Sequence, residues 1–60
     1  MNGKQVIQVL KVAGWVQDVG GRHVIMIKAK RRVPVPVHGG RDIPIGTLKS
    51  IEKATGVKLS

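Results

Sequence analysis

Apolar side chains recur at Val6, Ile7, Val9, Leu10 and Ala13, with Lys4, Gln8 and Lys11 set between them. At 100° per residue the two sets fall on opposite sides of a helix, so the spacing predicts an amphipathic helix over residues 3–13. Asn2 suits its N-cap and Gly14 its stop. Beyond Gly14 the period changes. "WVQDV", residues 15–19, reads as a short strand closed by Gly20 and Gly21. "HVIMIK", residues 23–28, is β-branched and apolar, as in a central strand covered on both faces. "KAKRR" reads as a basic turn. In "VPVPV", residues 33–37, Val33, Val35 and Val37 share one face and Pro34 and Pro36 the other. Proline has no N–H for a ladder, so this strand must lie at an edge or be irregular.

After the loop "HGGRD", Pro44 fits the first turn of a second helix. Ile45, Leu48 and Ile51 form its apolar stripe, Lys49 and Lys53 stay on the wet side, and Gly56 ends it. The order helix, three strands, helix, with short connections, predicts an α+β fold. It is α-β-β-β-α, an antiparallel three-stranded meander with both helices on one face and the other face free.

Sixty residues make a single domain, 1–60, with a folded radius of gyration of roughly 10 Å. Such a chain buries only about 60% of its unfolded surface. A deep, dry active site is therefore not expected, and a polymer that encloses itself over a shallow surface is the better substrate.

Charge then narrows the partner. Eleven Lys and Arg against three Asp and Glu leave a formal charge of +8 and a pI near 11.1, the balance of a chain that binds polyanions. There is no cysteine, so no disulfide or thiolate metal site is expected; two histidines and three acids are also too few for a convincing metal centre. The first apolar run is broken by Gln8 and Lys11, unlike a signal peptide or membrane span, and a cytoplasmic protein without cofactor or metal is the expectation. Trp15 is the sole aromatic residue, so contacts with the nucleic-acid backbone should dominate over base stacking.

The order of elements, a Gly-x-His at the start of the second strand and the segment "VPVHGGRDIPIGTLKSIEKATGV" resemble the HicA family. The opening "VIQVLKVAGW" matches that family's first helix, and the likeness covers nearly the whole chain. The resemblance implies a double-stranded-RNA-binding-domain-like fold and a toxin that acts as an mRNA interferase, an endoribonuclease needing no metal. It also implies a HicB-type antitoxin partner, with room for a higher-order toxin–antitoxin assembly, and an essential histidine at the position of His23. Two departures stand out. The family usually has Gly-Ser-His where this chain has Gly21-Arg22-His23, and often an aromatic residue where Met26 stands.

The residues themselves are compatible with that chemistry. RNA carries its own nucleophile, the 2′-hydroxyl, and needs a group to take its proton. An imidazole with an ordinary pKa of about 6.5 suits that task. His23 is the candidate base, although a lone strand histidine is more commonly structural. Arg22, where serine is usual, offers a phosphate contact. His38 is the one other titratable candidate for the acid, or a residue that orients its loop. Lys28, Lys30, Arg31 and Arg32, continued by Arg41, form the expected RNA track, a run without a compensating acid. "GGRD" at residues 39–42 is only a weak phosphate-nest motif, and Asp18 and Asp42 make no convincing carboxylate pair. A non-catalytic RNA-binding module of double-stranded-RNA-binding type is the alternative. A small DNA-binding or ribosome-associated protein is supported by charge alone.

Overall fold

The computed structural model describes residues 1–18, 24–37 and 39–59. Its elements run α1 (Gly3–Val12), β1 (Val16–Asp18), β2 (Val24–Lys28), β3 (Arg31–Val35) and α2 (Ile45–Thr55). The described strands make one antiparallel sheet in the order β1-β2-β3, with the helices packed on one face. This is the α-β-β-β-α architecture expected from the pattern, and it is consistent with the double-stranded-RNA-binding-domain-like fold that the resemblance implies, with a radius of gyration of 10.4 Å.

Local chemistry sets the start and stop of α1. The Asn2 side chain accepts the Gln5 N–H at 2.9 Å, and the Gln5 side chain accepts the Asn2 N–H at 2.8 Å. This reciprocal capping box satisfies two amides that a bare helix end would leave free. At the other end Gly14 adopts φ 99, a left-handed conformation suited to glycine, and the chain turns so that Trp15 N–H reaches Leu10 O at 2.9 Å. Trp15 thereby enters the core.

The turn between β2 and β3 is tighter than the predicted "KAKRR". Only Ala29 and Lys30 lie outside the strands, at φ 49 and φ 70. Two successive positive φ values match a mirror-image hairpin turn, whose twist suits antiparallel strands. Arg31 and Arg32 are therefore strand residues, and β3 starts and ends two positions before the expected 33–37. The prolines fit their places. Lys28 and Arg31 close the hairpin as a hydrogen-bonded pair, so the ladder bonds of β3 fall at residues 31, 33 and 35. Pro34, opposite Ile25, sits where an N–H would point away from β2 and sacrifices no bond within the sheet.

Register also assigns the faces. Met26 pairs with Gln17 and Val33, and Val24 with Val35, so these side chains share the helix-bearing face. There they meet Val6 and Leu10 of α1 and Leu48 and Ile51 of α2 in one core. Ile45, placed by periodicity on the α2 stripe, is 60% exposed, because Ile43 just before the helix fills the core position instead. The opposite face carries Val16, Ile25, Ile27 and Pro34 and is not roofed by either helix. β2 is thus central but helix-covered on one side only, and its odd-numbered isoleucines are half-buried.

Candidate nucleic-acid interface

Two cation groups lie at opposite ends of the sheet. Lys28, Lys30, Arg31 and Arg32 gather at the β2–β3 hairpin tip, all exposed. Arg41 lies beyond the other end of β3, where it lines a hollow of about 320 Å³ with Pro36, Asp42, Ile43 and Pro44. Four residue steps along β2, at ~3.3 Å each, separate the two ends by about 13 Å. The track read as continuous in the sequence is therefore split.

The tip cations also differ in their partners. The Lys28 ammonium donates to Ala13 O at 2.8 Å, closing the C-terminal turn of α1 on the helix-bearing side. Arg32 projects to the open face, where its Nη2 lies 3.3 Å from Asp18 Oδ2. The side chains of Lys30 and Arg31 make no hydrogen bond or ion pair among the described residues.

Arg22, His23 and His38 lie outside the described residues, as do both peptide neighbours of Arg22, but Val24 after His23 and Val37 before His38 are described. His23 is bonded to Val24, the first residue of β2, and His38 to Val37, two residues past β3. Both valines line one cavity of about 410 Å³. Its other walls are Lys4, Ile7 and Gln8 of α1 and Gln17 of β1.

Lys4, Gln8 and Gln17 were not singled out by sequence reasoning. Lys4 and Gln8 read simply as the wet side of α1. Gln17 did carry a signal. In a strand alternating about the core it occupies a Met26-side position that an apolar residue would normally take.

Among the described residues no helix is long and apolar enough to cross a membrane, and no three His, Cys, Asp or Glu side chains gather as metal ligands would. No curated protein and no solved structure matches the chain. Residues 3–57 match a protein family described as the HicA toxin of bacterial toxin–antitoxin systems, and with 55 of its 60 residues in that match the chain belongs to the HicA toxin family.

Proposed function

We propose that this toxin is an endoribonuclease that cuts mRNA with His23 as general base and is held inactive by a HicB-type antitoxin. Family membership carries the toxin role and implies the antitoxin. The observation that best supports the chemistry is that the peptide neighbours of His23 and His38, Val24 and Val37, line one cavity. His23 takes the proton of a 2′-hydroxyl as that oxygen attacks the adjacent phosphorus. The P–O5′ bond breaks, and the leaving oxygen gains a proton from His38 or water. The products are a 2′,3′-cyclic phosphate and a 5′-hydroxyl, and the atoms balance without metal or external nucleophile.

Charge divides the remaining work. Arg22 adjoins His23 in the sequence, and Arg41 lies beyond the end of the sheet where β2 begins, so these two are the cations proposed for the reacting phosphate. The tip group, Lys28, Lys30, Arg31 and Arg32, about 13 Å away along β2, holds flanking phosphates instead. An antitoxin that blocks this surface would present acidic side chains to it. The site of action is the cytoplasm, where mRNA is met, and the chain works as a single domain without cofactor.

The test is incubation of the purified toxin with RNA in excess EDTA, beside His23→Ala. Cleavage by the parent and loss in the variant support the reading. Equal cleavage by both removes His23 from the mechanism. If neither cuts while both bind RNA, the chain is a non-catalytic RNA-binding module, the alternative that Arg22 in place of serine keeps in view.

A further inference from the structure

Gln17 is a polar residue in an apolar place. It stands on β1 directly opposite Met26, on the face that packs against the helices, and Met26 is fully buried. Gln17 itself is half-buried, and its amide makes no hydrogen bond among the described residues. A primary amide offers two donors and a two-lone-pair acceptor, and leaving it partly desolvated without a partner is unfavourable. Apolar residues of the same shape would pack there at less cost. Gln17 therefore suits a group that arrives from outside.

The surroundings identify that group. Gln17 and Gln8 face the same 410 Å³ cavity, which is within the size range of small-ligand sites. Gln8 is exposed, and its side-chain amide likewise forms no hydrogen bond among the described residues. Between the two amides the wall is aliphatic, from Ile7, Val24 and Val37, and Lys4 supplies one cation without an ion-pair partner among the described residues. A flat apolar body, a polar edge with a donor beside an acceptor, and an attached anion together describe a nucleotide. Single-stranded RNA is read through such unstacked bases, by hydrogen bonds to their edges, and glutamine is a good match for a donor–acceptor pair.

We infer that the cavity between α1 and the β1–β2 end of the sheet is a nucleobase subsite, in which Gln8 and Gln17 read the base edge and Lys4 holds its phosphate. The inference rests on RNA being the substrate. It gives a chain whose only aromatic side chain, Trp15, is buried a way to hold a base on aliphatic side chains, without stacking. Because Val24 and Val37 neighbour both histidines, the base held here lies next to the scissile phosphate, and the subsite determines where the toxin cuts.

The test separates binding from cleavage by using RNA that has no nucleophile. Four 2′-O-methyl homotetranucleotides, of A, C, G and U, are titrated by fluorescence anisotropy against the parent, Gln8→Leu, Gln17→Leu and Lys4→Met, with unfolding curves confirming the fold. The parent should prefer one base at least fivefold. Either glutamine variant should lose most of that preference, whereas Lys4→Met should weaken all four oligonucleotides about threefold and leave their ranking intact. Equal binding of the four by the parent overturns the inference, as does an unchanged ranking in both glutamine variants. A parent that binds selectively yet fails to cut RNA in EDTA keeps the subsite and refutes the nuclease.

Discussion

Arg32 and Asp18 join the two outer strands across the open face of the sheet, guanidinium to carboxylate at 3.3 Å, passing diagonally over β2. Both side chains are largely or partly exposed, at 62% and 37%, so the pair contributes less than about 1 kcal/mol to folding. Its larger effect falls on binding, because Asp18 occupies an arginine that would otherwise meet phosphate. Asp18→Asn should leave stability nearly unchanged and tighten RNA binding. The slope of log affinity against log salt should steepen by about 0.7 for single-stranded RNA. Arg32→Gln should shift the slope the other way. Identical slopes for all three proteins would take Arg32 out of the RNA interface.

The pH profile distinguishes the roles of the two histidines. A general base works only when deprotonated, so cleavage should fall about tenfold per pH unit on the acid side, where the imidazole is protonated. A general acid works only when protonated, so with His38 as proton donor the rate should fall again as pH rises. Single-turnover rates from pH 5 to 9 would show this bell. His38→Ala should keep the acid limb and lose the alkaline one. A profile in that variant that still bends down at high pH assigns the acid to another group.

Lys28 was grouped with the RNA track, yet its ammonium closes the C-terminus of α1 through Ala13 O. That carbonyl is among the last acceptors of the helix, and a cation there also meets the negative end of the dipole. Lys28→Met should therefore lower stability by about 0.5–1.5 kcal/mol, measured by urea unfolding. Lys30→Met, at a turn position without such a bond, should leave stability within about 0.5 kcal/mol and reduce RNA affinity more. Equal effects of the two on stability would argue that the Ala13 bond is not maintained in solution.

The elements of this fold were legible because each one repeats a pattern. Val6 and Leu10 recur at helical spacing, Val33 and Val35 alternate with Pro34, and Gly14 and Gly56 stand where positive φ ends each helix. The hairpin tip was less legible, because Ala29 and Lys30 are unusual residues for two successive positive φ values and no Asn-Gly or Asp-Gly announced the turn. Met26 looked like a departure near the site; it proves to be the fully buried centre of the sheet, where side-chain volume is the relevant property. His23 became a candidate mainly through the Gly-x-His resemblance, since one histidine has no spacing of its own, and it lies outside the described residues. Gln8 and Gln17 stayed hidden because nothing in one dimension shows that α1 and β1 bring them to the same cavity.

Two glycines near helix starts should respond to alanine with opposite signs. Propensity alone favours alanine at both by up to about 1 kcal/mol. At Gly3 an added Cβ would lie 2.5 Å from Pro36 O and 2.8 Å from Val37 Cγ2, and the backbone oxygen cannot swing aside as a flexible side chain would. Relief requires α1 to move away from the end of β3, which should cost about 1–3 kcal/mol net. At Gly46, near the start of α2, the new methyl would meet nothing within 4 Å, and φ lies outside the left-handed region. Gly46→Ala should therefore raise the urea midpoint and Gly3→Ala lower it, both at unchanged m-value, with Trp15 fluorescence as the probe. Because Val37 also lines the cavity proposed as the base subsite, Gly3→Ala should slow RNA cleavage even at temperatures where the protein remains fully folded, whereas Gly46→Ala should not. A Gly3→Ala protein as stable and as active as the parent would show that this end of the sheet is not held against α1.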